Sequence, residues 1–513
     1  MSSLISHFVK SANKMPEQIA LVFGDQKIEY GRLLEAVKRL AAGLHSLGVA
    51  QGDRVAIMLP NLPHFPISYY ATLYLGAVPV PLNIMSHQKA LAYYLQQSGA
   101  KAIISWTGFL PHVLKAVRES PGCGQVIILG DRMPASCVPL TRLMAQSQPM
   151  AEPCAVAEQD PAVICYTMGS SEEELGAVLS YAALESNAAT CCEMFHLTAE
   201  DKVAGVMPLF HPLGQTLAMN AVFISAATLV LAPKFVAASV IEMIAANRVT
   251  FLPAAPGMFR ALADCTQVPA ETPSLKLCLS YGGYLATEVL HAFESKFNTL
   301  ILESYGLTEA GPLVSAHRLN LDRKIGSVGL PLIGVDIQIR DEQGAPLRPN
   351  QIGEIWINSP SNMTGYYGYP QQTAERLKNG WLFSGDMGYL DEDHYLFIQE
   401  RKDDIIIKGG FHIYSFEVEA ILKQHFEVAE VAVVATPDSV QGSEVKAYVV
   451  RKPGGTCGSE ELIDFCRNNL PFYKSPRYIE FCDQLPKSPT GRVLKHQLRK
   501  RAATGRQGPK ESK

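Results

Sequence analysis

From residue 54 to residue 303, short apolar runs of strand character alternate with helical stretches, and no other feature limits the fold as much. The run 54–59 is uniformly apolar after its arginine, as a strand covered on both faces must be. A helix over 65–75 stops at Gly76, a strand follows at 78–81, and a helix over 87–98 leads to a strand at 101–105. The pattern continues through strands at 125–129, 162–166, 228–231, 250–252, 277–279 and 300–303. A strand can lie parallel to its predecessor only if the chain crosses back, which a helix accomplishes. The expectation is therefore a mostly parallel α/β sheet. Upstream, 19–23 and 27–30 flank a Gly24-Asp25 turn as a hairpin. Leu33, Leu34, Val37, Leu40 and Leu44 then mark a helix over 33–47.

After about residue 325 the texture changes. Gly326, Gly329, Gly334, Gly344, Gly353 and Gly365 punctuate short alternating strands, the pattern of an antiparallel β subdomain. The cluster Glu400-Arg401-Lys402-Asp403-Asp404 between apolar runs reads as a domain joint. Beyond it come a helix at 416–424, strands at 428–436 and 444–451, and a helix at 460–470. At 513 residues the chain exceeds what one core holds. The expected class is α/β: a large multi-subdomain N-terminal domain over 1–400, with parallel sheets plus the β subdomain, and a small mobile α+β domain over 404–513. The hinge falls at 401–403.

A net charge of −4 gives no global electrostatic reason to bind nucleic acid. Eleven cysteines with no CxxC pair point to reduced thiols in the cytoplasm. The segment 203–233 carries no Asp, Glu, Lys or Arg, but Pro208, Pro212, Gly214, Gln215 and Asn220 interrupt it. It reads as a buried helix followed by a buried strand, and no integral membrane segment is expected. There is no Walker loop, no GxGxxG after a strand, no GxSxG elbow and no His/Cys metal cluster.

Two motifs carry chemistry. Glu303-Ser304-Tyr305-Gly306-Leu307-Thr308-Glu309 is a strand end followed by a glycine turn that presents a ring, a hydroxyl and a carboxylate in succession. A ring can stack on a base, a hydroxyl can hydrogen-bond a phosphate, and a carboxylate can hold Mg²⁺. The second is 380–410, with Ser384-Gly385-Asp386 before the charge cluster and Lys408-Gly409-Gly410 after it.

Together these motifs resemble the adenylate-forming superfamily of acyl-CoA synthetases, peptide-synthetase adenylation domains and luciferases, over roughly residues 10–500. The resemblance implies that Tyr305 and Gly306 meet adenine, that Thr308 touches the α-phosphate and that Glu309 binds the metal. It places Asp386 on the ribose hydroxyls, Arg401 on the nucleotide and the hinge at Asp403. Gly282-Gly283 would line the adenine and acyl sites, although Tyr284 stands where a small residue is usual. His211, in Pro208-Leu209-Phe210-His211 with Gly214, would lie near the acid's carboxylate. Lys408, Gly409 and Gly410 would line the thiol's approach. Thr167, Gly169, Ser170 and Ser171 fall on the phosphate loop.

Two places depart from that pattern. The phosphate loop normally ends in Gly-x-Pro-Lys-Gly, whereas here Glu172-Glu173-Glu174-Leu175 precede Gly176. A like-charge contact at 4 Å costs about 4 kcal/mol at an effective dielectric near 20, so these carboxylates should weaken ATP binding. The lysine that follows the Thr-Gly turn is Arg492 here, a planar fork in place of a point charge, and Lys487 is a candidate substitute. Two readings follow. In the first, ATP and Mg²⁺ activate a carboxylic acid to an acyl-adenylate with release of pyrophosphate. Coenzyme A, or a carrier-protein pantetheine, then displaces AMP. In the second, a degenerate relative binds acyl-adenylate, AMP or acyl-CoA without efficient adenylation. The apolar stretches 213–226 and 251–258 favour a medium or long aliphatic acid.

Overall fold

The computed structural model describes residues 4–167, 174–267, 272–409, 411–487 and 493–503. Two compact units emerge: residues 1–337 with 357–382, and residues 338–356 with 383–513. The hinge position Asp403 lies inside the second unit, in the turn Lys402–Asp404.

In the first unit a nine-stranded sheet runs, from one edge to the other, through Leu330–Pro331, Ser315–Ala316, Ile301–Tyr305, Leu277–Ser280, Phe251–Ala254, Lys202–Gly205, Thr228–Leu231, Ile19–Phe23 and Gln26–Glu29. Its interior pairs are parallel, and antiparallel strands close both edges. A five-stranded, all-parallel sheet holds Val78–Pro81, Arg54–Met58, Ala100–Trp106, Gln125–Leu129 and Val138–Pro139. Both match the expected α/β plan.

One strand does not. The strand Pro161–Thr167, placed above within the parallel alternation, forms an antiparallel hairpin with Leu175–Ser180, and Gly365–Tyr366 adds to the hairpin's other edge. Its residues Ala162 to Cys165 are all buried, so its composition matches a parallel core strand. The pairing direction is set by the short return at 168–174, which leaves no length for a crossover helix.

The charge-free segment folds as expected, with interruptions. Helix Pro212–Gln215, a π-helical turn Thr216–Asn220 and helix Ala221–Ile224 precede the buried strand Thr228–Leu231. Among the described residues no helix is long and apolar enough to cross a membrane.

In the second unit, Val428–Asp438 and Gly442–Arg451 pair antiparallel, and Tyr478–Phe481 joins parallel. Alternate residues of Val428–Asp438 serve two cores. Val431 and Val433 pack with helices Ser415–Gln424 and Ser459–Asn469, while Ala432 and Val434 pack with Leu498 and Ala502 of helix Lys495–Ala503. A strand covered on both faces explains the apolar run there.

Candidate active site

In the first unit, strand Ile301–Tyr305, the last of the parallel strands, carries the motif and the turn Thr308–Ala310 closes it. Gly306 is required by contact: a Cβ there would lie 1.8 Å from the Pro312 carbonyl oxygen. Glu309 is 6% exposed, and its Oε1 accepts the Tyr366 hydroxyl at 2.9 Å. Burial, and then the Glu309 charge, push the Tyr366 phenol upward. Tyr366 lies on the strand that edges the phosphate-loop hairpin, so Glu309 is tied to that hairpin as well as to its own turn. Tyr305 and Thr308 are half-buried beside it.

The strand Leu277–Ser280 ends next door, where the Ser304 hydroxyl donates to the Ser280 carbonyl at 2.8 Å. It leads to Gly282, whose φ of +90° favours glycine and whose missing Cβ faces nothing within 4 Å. Gly283 has only the Pro256 ring at 3.6 Å. Tyr284 is 73% exposed, so its ring does not pack into that space. The Tyr281 hydroxyl donates to the Pro312 carbonyl at 3.4 Å, and its ring meets that of His211 edge-on at 6.3 Å between centroids. His211, Tyr281, Pro312 and Gly306 thus form one chain of contacts between the acyl-site motif and the adenine-site motif.

His211 caps its own helix, its Nδ1 accepting the Leu213 amide at 3.3 Å. Although it keeps some exposure, burial in dense surroundings pulls its pKa down to about 4, so the ring is neutral at pH 7. At the end of strand Pro161–Thr167, the Thr167 hydroxyl is buried with no hydrogen-bond partner among the described residues. Leu175 pairs with it in register and is itself buried. Gly169, Ser170, Ser171, Glu172 and Glu173 lie outside the described residues.

Support for the motif includes residues that sequence reasoning passed over. The Glu303 amide donates to His317 Nδ1 at 3.1 Å, and its carboxylate accepts the Gly326 amide at 3.3 Å. Burial raises Glu303 to about 7 and lowers His317 to about 4. These partners lie 14 and 23 residues away, beyond any local pattern.

In the second unit Asp386 and Arg401 pair in register across an antiparallel strand pair, with Arg401 Nε 2.7 Å from Asp386 Oδ1. Asp386 is 5% exposed, and Arg401 also donates to the Ser384 carbonyl at 3.3 Å. The two expected nucleotide contacts are therefore brought together. Lys408 pairs with Glu444 at 2.5 Å, and the Gly409 amide donates to the Gln441 carbonyl at 2.9 Å. Gly410 and Arg492 lie outside the described residues. Lys487 pairs with Glu430 at 2.7 Å on an exposed face, where such pairs contribute little.

Behind Arg401 lies a buried network. Glu400 Oε2 accepts the Ser415 amide at 3.1 Å and its hydroxyl at 2.5 Å. Lys495 donates to the same hydroxyl at 2.7 Å and pairs with Glu419 at 2.7 Å. Burial raises the Glu400 carboxyl to about 7, against the lowering by Ser415 and Lys495. From the ordinary value of 4.5 up to about 7 the folded chain therefore holds a proton that the unfolded chain has lost. Stability should fall as pH climbs through that window, by up to about 3 kcal/mol. Glu400→Gln should remove this slope, and its melting point relative to the parent should rise between pH 5 and pH 8. A difference that stays flat with pH would show that Glu400 titrates alike in both states.

Residues 8–367 match the family model described as AMP-binding enzyme, and residues 417–492 match its C-terminal domain. A long-chain-fatty-acid–CoA ligase of Bacillus subtilis strain 168 is 33% identical, over 97% of this chain and 94% of its own. A feruloyl-CoA synthase from an Amycolatopsis species is 32% identical, over 96% and 98%. The crystal structure of ATP-bound MatB from Rhodopseudomonas palustris superposes with a TM-score of 0.90 at 27% identity, covering 98% of this chain and 99% of that one.

Proposed function

Since the chain belongs to the AMP-binding enzyme family, we propose that it is an AMP-forming acid–CoA ligase acting on a medium- or long-chain fatty acid. A carboxylate oxygen attacks the α-phosphorus of ATP and pyrophosphate leaves. The sulfur of coenzyme A then attacks the acyl carbon, its proton is lost, and AMP departs. The carrying observation is the turn at 305–309, where a buried carboxylate and a half-buried ring and hydroxyl stand beside the open backbone of Gly282 and Gly283.

The residues present fit the expected ligands. Thr167 offers a buried hydroxyl with no partner among the described residues, and half-buried Thr308 offers another hydroxyl for phosphate oxygens. Tyr305 would stack on adenine, Asp386 would hold the ribose and Arg401 would contact the nucleotide. Among the described residues no three His, Cys, Asp or Glu side chains form a metal cage. That suits Mg²⁺ held by Glu309 and the substrate's own phosphates, where it would neutralise charge. Neutral His211 can orient the acid's carboxylate without tying it up as an ion pair. Arg492 would supply the cation expected at the reacting carboxylate, and Lys408, Gly409 and Gly410 would line the thiol's approach.

The aliphatic assignment is supported by the fatty-acid relatives. The relatives favour a ligase over a binding-only protein. Pyrophosphate release and AMP formation across a panel of aliphatic and aromatic acids, with and without coenzyme A, test both points. Pyrophosphate should appear only with an acid, fastest with long aliphatic ones, and AMP release should accelerate with coenzyme A. A feruloyl-type acid as the best substrate would overturn the aliphatic assignment, and no acid-dependent pyrophosphate would overturn the ligase.

A further inference from the structure

Four tyrosines converge on the C-terminal root of the phosphate loop. Tyr94, 5% exposed on helix Gln88–Ser98, donates its hydroxyl to Glu174 Oε2. Tyr93 donates to the Glu174 main-chain carbonyl at 2.8 Å, and its hydroxyl oxygen lies 3.2 Å from that of Tyr369. The Tyr166 ring packs on Tyr94 at 4.4 Å between centroids, and its hydroxyl donates to Gln97 at 2.5 Å. The Gln97 amide in turn donates to the Tyr367 carbonyl. One residue thus has both its side chain and its backbone gripped by adjacent residues of a single helix.

Glu174 is also one of the three acids that depart from the expected phosphate-loop pattern. A partly buried carboxylate is costly unless a donor meets it, and a phenol is a strong one. Burial does push the Glu174 carboxyl upward, which agrees with a desolvated position against the helix. Left without that donor, the charge would be free to swing at the root of a turn that must accept a triphosphate.

We infer that Tyr94 is a positioning residue for ATP. With Tyr93 it holds the Glu174 carboxylate against helix Gln88–Ser98, keeping that charge off the phosphates. The inference rests on the ATP-binding reading above. It accounts for how this chain tolerates an acid where the resembled pattern has none.

Calorimetry of Mg·ATP and of AMP, on the parent, Tyr94→Phe, Glu174→Gln and the double variant, tests it. AMP serves as the control because it lacks the β- and γ-phosphates. Tyr94→Phe should weaken ATP about fivefold more than AMP, with the difference shrinking in high salt. Glu174→Gln alone should bind ATP no worse than the parent, and the double variant should recover the parent's ATP-to-AMP ratio. An unchanged ratio in Tyr94→Phe overturns the inference. So does a loss that persists once Glu174 is neutral, since that would be a packing defect. A parent that binds ATP yet releases no pyrophosphate with any acid defeats the ligase assignment and leaves this ratio test standing.

Discussion

Glu309→Gln should slow acyl-adenylate formation by about a hundredfold or more, the scale of removing one preorganised electrostatic element from a reacting phosphate. The substitution is nearly isosteric. The amide oxygen can still accept the Tyr366 hydroxyl, which Glu309 accepts at 2.9 Å, so the turn and its tie to the hairpin are kept. What disappears is the negative charge at a site only 6% exposed, where little water screens it. The loss should therefore appear in the Mg²⁺ dependence of acid-dependent ATP–pyrophosphate exchange and in ATP affinity, with AMP affinity nearly unchanged. Melting should not fall, because a buried charge has been removed rather than added. Tyr366→Phe supplies the contrast: it keeps the charge but strips its donor, and should cost far less in exchange rate. Exchange in Glu309→Gln at the parent's rate would show that this carboxylate holds no metal.

Gly306→Ala should be the most damaging small substitution in the site. The added methyl would meet the Pro312 carbonyl oxygen at 1.8 Å, the Pro312 carbonyl carbon at 2.8 Å and Leu313 Cα at 3.0 Å. All three are backbone atoms, so no rotamer change relieves the overlap and the turn itself must move. Overpacking of this kind costs about 1–3 kcal/mol where side chains can yield, and more where they cannot. Tyr305 and Thr308 flank the glycine, so both lose their placement together. A lower melting point and an AMP affinity reduced more than about tenfold are expected. Gly283→Ala separates ligand room from fold, because its nearest neighbour is Pro256 Cγ at 3.6 Å. That variant should melt like the parent, and any loss of affinity would report on the space a ligand uses. Gly306→Ala with normal melting and AMP binding would mean that the turn is not the adenine site.

Local pattern was enough wherever a residue's role depends on its neighbours in sequence. The strands Val78–Pro81 and Gln125–Leu129 fall on their expected bounds, because each is a short apolar run bounded by turn residues. Asp386 and Arg401 stand out in the sequence only through the family resemblance, and the strand pair that brings them into register is local enough for both to meet. The turn at 305–309 was legible because its ring, hydroxyl and carboxylate fall within five residues.

Tertiary structure decided what depends on distant partners. An apolar strand buried on both faces looks the same whether its neighbour runs parallel or antiparallel, so 162–166 reads as part of the parallel alternation until Leu175–Ser180 and Gly365–Tyr366 are seen beside it. Tyr366 reaches Glu309 across 57 residues and Tyr94 reaches Glu174 across 80, separations at which no periodicity carries information. By sequence Glu174 was one of three like charges at a phosphate site. The fold gives it a phenol donor, and a carboxylate's effect on its surroundings depends on where its partner holds it. The sequence by itself therefore determined which elements form; only the packing of remote helices and strands decided which partners their charged side chains meet.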